Sequence, residues 1–250
     1  MSESTSHYGV SVEDHGKVRV LVLDRPAKLN AFTAEGYRAL KARLDEAGAD
    51  SDVAVCVLTG NGRAFSAGVD LNEMSRPGGS TELGVDFDPL LDCLARFPKP
   101  LVAAVNGLAV GFGATLLLHC DLVVVDETAE IRMPFISLGT CAEAGSSWLL
   151  PLRVGIQQAS WMMLSGSPLN ADDAVATGFA LARAPAGHVL AQAMDIANAL
   201  AVHKVDALVA NKALLREGFA PRIDAVWQRE KAAMAAMAHK LGPIGWSAQP

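Results

Sequence analysis

The 250-residue sequence has only four cysteines, no basic run longer than two residues and no apolar stretch that could span a bilayer. Its cysteines lie far apart and form no C-x-x-C pair, which argues against a zinc site or a disulfide framework and predicts free thiols. The net charge is −6, so nucleic acid is a poor partner on electrostatic grounds. The first nine residues, MSESTSHYG, lack the order of a secretion signal, and a cytoplasmic location away from membranes is expected.

The first half of the chain alternates strand-like and helix-like segments. Apolar, β-branched runs predict strands at 17–24, 53–60, 100–107, 120–126 and 129–135, and helical spacing of apolar residues predicts helices at 33–50 and 112–119. From about residue 145 onward only helices are predicted, at 145–152, 156–164, 170–177, 186–202, 205–217 and 221–240. This rhythm favours an α/β architecture with parallel strands.

Two glycine-bearing turns each connect a strand to a helix. AFSAGVDLNEM (64–74) and NGLAVGFGATLL (106–117) share this design, and Asp70 is placed to cap the first of the two helices. Their glycine spacing fails both the dinucleotide fingerprint and the P-loop pattern, so a nucleotide phosphate cradle is disfavoured. Free N–H groups at helix starts attract negative charge, and two such turns could supply one N–H each to a single developing oxyanion.

Residues 137–148, SLGTCAEAGSSW, hold one charged side chain, Glu143, among small and apolar neighbours. Glu143 precedes the helix predicted at 145–152, where a carboxylate can merely favour the helix dipole, a contribution of about 0.3–1 kcal/mol. It could instead be an acid–base group whose pKa is raised by desolvation. The residues alone leave both interpretations open.

Four segments read together resemble the enoyl-CoA hydratase/isomerase (crotonase) superfamily: RPAKLNAF, RAFSAGVDLNEM, KPLVAAVNGLAVGFGATLLLHCDLVVV and SGSPLNADDAVATGFA. The resemblance runs from about residue 10 to 185, in order. It implies a spiral core of ββα units over 1–185 and a C-terminal helical region over 186–250 that builds a homotrimer or a dimer of trimers. It also implies an acyl-CoA thioester as substrate. Coenzyme A is then part of the substrate, with no separate cofactor and no metal ion.

The resemblance further implies the residues of the site. Two backbone amides form the family's oxyanion hole, and by position these are the N–H groups of Val69 and Phe112. Phe112 stands where hydratases commonly have glycine; the N–H is retained if its φ stays negative, but its ring bears on the shape of the acyl pocket. The residues that the resemblance assigns to CoA and substrate binding are Arg25, Ala27, Leu29, Ala67, Asp70, Leu71, Thr115 and Phe135.

Thr115 and Phe135 occupy the positions of the two glutamates that hydratases of this family use, and neither can transfer protons at neutral pH. The run MPFISLGTCAEAGSSWLLP instead resembles the peroxisomal-type Δ3,Δ2-enoyl-CoA isomerases, and Glu143 falls on their catalytic glutamate. Ala144 stands where that subgroup usually has glycine. The resemblance therefore implies an isomerase of fatty-acid breakdown that moves a double bond from C3 to C2 by a single-glutamate 1,3-proton shift. A hydratase, another crotonase chemistry and a catalytically silent acyl-CoA binder are the alternatives.

Five other polar residues carry secondary expectations. Asp121 is expected to be a structural hydrogen-bonding acid, and His119 a packed side chain. Lys204, Lys212 and Arg216 lie on predicted C-terminal helices, where each is either solvated surface or a contact to the phosphates of CoA.

Overall fold

A computed structural model describes residues 9–218 and 220–241. Within these ranges the chain forms ten strands and nine α-helices. The strands are β1 (Val10–His15), β2 (Val18–Leu23), β3 (Val55–Gly60), β4 (Ala64–Ser66), β5 (Leu101–Val105), β6 (Leu108–Val110), β7 (Leu122–Asp126), β8 (Glu130–Arg132), β9 (Leu169–Asn170) and β10 (Ala182–Ala184). The helices are α1 (Ala34–Ala49), α2 (Leu71–Ser75), α3 (Gly79–Arg96), α4 (Phe112–Thr115), α5 (Ser146–Ser165), α6 (Ala171–Ala176), α7 (Val189–Ala201), α8 (Val205–Arg216) and α9 (Ala220–Leu241).

The strands form a main sheet and a smaller second sheet. The main sheet has the order β1-β2-β3-β5-β7-β10, in which β1 is antiparallel to β2 and all other pairs are parallel. The second sheet has the order β4-β6-β8-β9, with β4, β6 and β8 mutually parallel. The predicted α/β architecture with parallel strands is therefore confirmed.

Both faces of the main sheet are covered, as the almost wholly apolar run at 53–60 predicts. Alternate residues of β3 point to opposite faces: Cys56 and Leu58 join the larger core beneath α1 and α3, whereas Val55 and Val57 join the core beneath α7. Ala193 of α7, like these strand residues, is fully buried. Helix α7 thus belongs to the packing of the sheet, although the domain division at 185/186 assigns it to the C-terminal region; that division stays a prediction.

The chain passes repeatedly from the main sheet to the second sheet and then to a helix. It does so in β3–β4–α2, in β5–β6–α4 and in β7–β8 followed by α5. This is the repeating ββα unit that the resemblance implies. Because β4, β6 and β8 are parallel neighbours, the turns that follow them meet at one edge of the second sheet.

The structure corrects the prediction that strands end at about residue 145. Strand β9 pairs with β8, and β10 adds to the edge of the main sheet beside β7. Both are only two or three residues long and contain alanine or asparagine rather than a β-branched run, so their pairing depends on a neighbouring strand edge instead of on their own pattern. Helix α3, strand β1 and the short strands β4 and β6 were also not predicted.

The C-terminal helices agree closely with the predicted segments. The helices predicted at 145–152 and 156–164 form one element, α5, which is broken at Gly155, where φ is 76° and ψ is 159°. None of the helices among the described residues is long and apolar enough to cross a membrane. All four cysteines are free thiols, as predicted.

Candidate active site

The turns after β4 and β6 approach each other backbone to backbone. Gly68 has a φ of 87°, and a Cβ atom there would lie 2.6 Å from the carbonyl oxygen of Val110 and 3.3 Å from the amide nitrogen of Phe112. The contact is closer than any side chain allows, and only glycine adopts this φ without strain. The two turns that the sequence predicts to act together are therefore brought together by the second sheet.

Two backbone donors remain available where these turns meet. Val69 follows Gly68 directly, and Phe112 is the first residue of α4, whose first-turn N–H groups have no partner within the helix. In the part of the chain that the structure describes, neither N–H donates a hydrogen bond. Phe112 is not among the residues with a positive φ. Its φ is therefore negative, as a non-glycine residue at this donor position requires. The geometry leaves two neighbouring N–H groups free to bind an anionic oxygen.

The ring of Phe112 is fully buried and lies behind the site. It packs edge-on against Phe32, Tyr37 and Phe87, with ring centroids 5.0–5.3 Å apart. Such edge-to-face pairs are favourable beyond the apolar area that they bury. The substitution of glycine by phenylalanine therefore fills a cluster under the cavity wall and leaves the backbone donor in place.

The segments predicted to contact CoA lie side by side. The amide of Ala67 donates to the carbonyl of Leu29 over 2.8 Å, and Arg25 Nη2 lies 3.3 Å from Asp70 Oδ2. Asp70 also caps α2 by accepting from the amide of Asn72, as predicted. Ala27 and Leu71 are exposed beside these contacts.

A cavity of 330 Å³ connects one of these donors to Glu143. Val69 lines one part of it, and Glu143 with Ala144 lines another. Its other lining residues are Tyr37, Met74, Leu83, Gly84, Phe87, Asp88, Leu91, Trp227, Glu230, Lys231 and Met234. Largely apolar walls with a few convergent polar groups are typical of a ligand site.

Glu143 has the properties of an acid–base group. Burial, followed by the negative charge of Glu230, raises the pKa of Glu143 from 4.5 to about 7. Its carboxylate accepts no hydrogen bond from the residues that the structure describes, whereas its carbonyl accepts from the amide and hydroxyl of Ser146. A carboxyl whose pKa lies near neutral pH is suited to both removing and returning a proton.

The helix-capping interpretation of Glu143 is not supported, because another residue has that role. The residue at the N-terminus of α5, Gly145, has no side chain with which to cap it. Glu230 of α9 accepts from the amide of Gly145 at 2.8 Å, and from the amide and hydroxyl of Ser147 at 2.9 and 2.6 Å. The favourable interaction with the helix dipole is thus supplied from α9.

The backbone beside Glu143 is unusual. Ala144 is in the left-handed region with a φ of 58°, and Gly145 follows with a φ of 77°. The ring nitrogen Nε2 of His119 lies 2.8 Å from the carbonyl oxygen of Ala144 and donates to it. Burial lowers the pKa of His119 to about 4, so the ring is neutral and packed, as expected.

Thr115 and Phe135 do not line the cavity that contains Glu143. Thr115 is fully buried in α4, and Phe135 lines a separate cavity of 430 Å³ beside α5. Among the described residues, no three His, Cys, Asp or Glu side chains are grouped so that they could hold a metal ion.

Asp121 is the structural acid that the sequence predicts, and two of the basic residues discussed with it bind it. Asp121 accepts from the amide of Leu101, from Lys212 and from Arg216, at 2.8, 2.6 and 2.8 Å. Lys212 is buried, and Arg216 also donates to the carbonyl of His119. Neither residue is solvated surface. Lys204 is exposed at the start of α8.

Several lining residues were not predicted from sequence. Trp227 and Glu230 come from α9, and Phe87 comes from α3, a helix that sequence patterning missed. The Nε1–H of Trp227 is buried without a partner among the described residues, and a Cβ on Gly145 would lie 2.9 Å from it. The sequence signal that could have indicated a special role for α9 is the helical spacing of the aromatic and charged residues in 226–231.

Comparison with known proteins agrees with this fold. Residues 13–242 match the family model described as enoyl-CoA hydratase/isomerase. The crystal structure of an enoyl-CoA hydratase/isomerase from Pseudoalteromonas atlantica T6c has a TM-score of 0.86 and 32% identity, and the match covers 92% of this chain and 91% of that one.

Two curated relatives carry different activities in their names. The 2,3-dehydroadipyl-CoA hydratase of Escherichia coli (strain K12) is 40% identical over 201 residues, which are 80% of this chain and 79% of that protein. Enoyl-CoA delta isomerase 2 of Rattus norvegicus is 35% identical over 175 residues, which are 68% of this chain and 44% of that protein. The fold, the family model and these relatives agree that the chain belongs to the enoyl-CoA hydratase/isomerase (crotonase) family.

Proposed function

We propose that the protein is a Δ3,Δ2-enoyl-CoA isomerase, with Glu143 as its single acid–base residue. One observation carries the proposal: Glu143, whose pKa is raised to about 7, lines the same cavity as Val69, next to the free N–H groups. The positions that match the hydratase glutamates hold Thr115 and Phe135 instead, and both side chains are buried away from that cavity.

In the proposed reaction, the carboxylate of Glu143 removes a proton from C2 of a 3-enoyl-CoA. The electron pair of the C2–H bond forms a C1=C2 double bond, and the thioester oxygen becomes an enolate bound by the N–H groups of Val69 and Phe112. When the carbonyl re-forms, a C2=C3 double bond appears, and the electrons of the old C3=C4 bond take the proton back from Glu143 at C4. One proton is removed and one returned, so no second acid is required.

The cavity wall supports this chemistry. Tyr37, Phe87 and Trp227 present apolar surface around the carboxylate, which keeps its pKa close to neutral. Loss of one hydrogen-bond donor from an oxyanion site typically lowers kcat by a factor of about 10²–10³. We further infer that residues 25–29 and 67–72 contact the CoA moiety, because the two segments lie side by side and the second contains Val69.

The first test is Glu143→Gln, which keeps the shape of the side chain but removes its basicity. We expect kcat for a 3-enoyl-CoA ester to fall at least about 100-fold with KM little changed, because the base acts in the transition state. Glu127→Gln, an exposed change on the turn after β7, is the matched control and retains wild-type turnover. Turnover by Glu143→Gln close to that of wild type would overturn the proposal.

Enoyl-CoA hydration is the second candidate. The name of the Escherichia coli relative favours it. Incubation with crotonyl-CoA separates the two functions, since rapid loss of the 2-enoyl absorbance means hydration and a stable signal supports isomerisation. Tight binding of CoA esters without turnover of any 2- or 3-enoyl substrate would indicate the silent binder instead.

A cytoplasmic location and assembly as a homotrimer or dimer of trimers form part of the same proposal. The test of assembly is the mass in solution by light scattering, where three or six times the chain mass of 26.2 kDa is expected. A particle of one chain mass would contradict it.

A further inference from the structure

Glu230 links the C-terminal helix to the segment that bears Glu143. Its side chain is only 5% exposed, and it comes from α9, 83–85 residues further along the chain than the groups it binds. Both carboxylate oxygens are engaged: Oε2 accepts from the amide of Gly145, and Oε1 accepts from the amide and hydroxyl of Ser147. A carboxylate that accepts three hydrogen bonds at a helix N-terminus interacts favourably with the partial positive charge of that helix end.

We propose that Glu230 is a positioning residue for Glu143: it fixes the base-bearing segment 143–145 to α9 and holds a second negative charge beside the base. The inference rests on the proposed function of Glu143 and adds to it a residue on a different helix.

The segment 143–145 requires an external support. Ala144 and Gly145 are successive residues with positive φ, a conformation that Ala adopts only at a cost of about 1–2 kcal/mol. The support comes from two sides, since His119 binds the carbonyl of Ala144 and Glu230 binds the amide of Gly145. Without the contact to Glu230, one of these two restraints is lost and the carboxylate of Glu143 has more freedom to leave the cavity.

The charges around Glu143 identify Glu230 as the residue that places a second negative charge beside the base. Asp88 of α3 and Lys231 of α9 face the same cavity but form an ion pair with each other, so their charges largely cancel. Tyr37 of α1 is neutral, since burial raises its pKa well above the ordinary value.

On the remaining sides, His119 is neutral near pH 7 because its pKa is about 4, and burial raises the pKa of the Cys141 thiol. Among the described residues, no cation pairs with Glu230. Its charge therefore adds to burial in raising the pKa of Glu143.

Glu230 is not suited to be a second catalytic acid. Its two oxygens accept three hydrogen bonds from Gly145 and Ser147, which direct the carboxylate toward the start of α5. It acts on the reaction through Glu143.

The test is Glu230→Gln, which removes the charge but keeps an oxygen acceptor for Ser147. The carboxyl carbon of Glu143 is titrated by ¹³C NMR in the protein without substrate, and its signal is assigned by its loss in Glu143→Gln. We expect the titration midpoint of Glu143 to fall below that of wild type. With a 3-enoyl-CoA ester, we expect kcat to fall about tenfold with KM unchanged, and the ratio of rates at pH 6 and pH 8 to rise several-fold.

Asp224→Asn is the matched control, because it removes one negative charge from the exposed side of the same helix. It leaves the Glu143 titration and the pH profile unchanged. Ser147→Ala removes one bond to Glu230 but no charge, and we expect it to lower kcat several-fold without moving the titration midpoint. This second variant keeps the positioning role testable if Glu230→Gln does not fold; unchanged kcat in Ser147→Ala would overturn that role.

The two proposals fail in different ways. If the Glu143 titration and the pH profile in Glu230→Gln match those of wild type, the inference is overturned, whether or not Glu143 is the base. If the midpoint falls in Glu230→Gln but Glu143→Gln remains active, the charge coupling is supported and the proposed function is overturned.

Discussion

The free N–H groups of Val69 and Phe112 follow neighbouring strands of one sheet, whereas Glu143 lies on an irregular segment that is fixed from a distant helix. In the first region, backbone meets backbone, with Gly68 against the carbonyl of Val110. In the second, the side chain of Glu230 reaches the backbone of Gly145. The donors depend on sheet geometry and the base depends on side-chain contacts.

This difference explains which substitutions each region accepts. A phenylalanine at position 112 leaves its N–H in place because only the backbone is used, and the ring finds space in an aromatic cluster. In the base-bearing region, Ala144 stands in a left-handed conformation that favours glycine, and the segment depends on bonds from His119 and Glu230. The region built from backbone therefore accepts a change of side chain, whereas the base-bearing region depends on particular side chains.

The largest effect is expected from Gly68→Ala, which changes the backbone contact between the two donor turns. The added Cβ would lie 2.6 Å from the carbonyl oxygen of Val110, and the backbone there cannot yield as a flexible side chain can. We expect the turn to shift and kcat to fall about 100-fold or more, as when a backbone donor is lost from an oxyanion site. Steady-state kinetics with a 3-enoyl-CoA ester measures this.

Gly16→Ala is the control for backbone strain alone. Gly16 also has a positive φ, of 62°, but a Cβ there meets nothing within 4 Å. It should lower the free energy of unfolding by about 1 kcal/mol and leave kcat unchanged. Equal kinetic effects of the two variants would show that the contact between the turns is unimportant.

The second prediction concerns the stability of the base-bearing region. The folded protein holds the pKa of Glu143 at about 7, above its ordinary value of 4.5, so the folded state binds more protons than the unfolded state between these pH values. The free energy of unfolding therefore falls as pH rises from about 4.5 to 7. Glu143→Gln removes this penalty and should be more stable than wild type at pH 8 by on the order of 2 kcal/mol.

Urea unfolding of both proteins at pH 5 and pH 8 checks this expectation. The gain should be several-fold smaller at pH 5, where Glu143 is still protonated in the folded state. A gain of the same size at both pH values would assign it to packing rather than to charge.

The smallest effect is expected from Ala144→Gly. Glycine at position 144 relieves the strain of the left-handed conformation. This gain offsets two losses: a buried methyl group, worth about 0.8 kcal/mol, and the higher conformational entropy that glycine gives to the unfolded chain. We expect a change within about 0.5 kcal/mol. Ala142→Gly, where φ is not positive, should destabilise the protein by about 1 kcal/mol more, as thermal unfolding can measure. Equal losses would mean that Ala144 is unstrained.

Periodicity and turn chemistry were enough for most elements of the fold. The apolar run at 53–60 predicted a strand covered on both faces, and Asp70 caps the helix that it was predicted to cap. Strands such as β10 were missed because three residues carry too little pattern, and their pairing is decided by a neighbouring edge.

The site was predictable where it uses local signals. The two glycine turns and Glu143 stand out in the sequence because each departs from its surroundings. The ion pair of Lys212 with Asp121, and the contacts of Glu230 with the start of α5, join residues 83 or more positions apart. No short-range pattern records which distant residue will meet a given helix end.

The sequence by itself determined the α/β rhythm, the two donor turns and a lone carboxylate among apolar neighbours, since these follow from local backbone preference and hydrophobic spacing. Only the tertiary structure decided that the turns after β4 and β6 meet, that α9 closes the cavity around Glu143, and that Glu230 rather than Glu143 caps α5. The reason is physical: burial and charge, which set the protonation of a carboxylate, depend on all the elements packed around it.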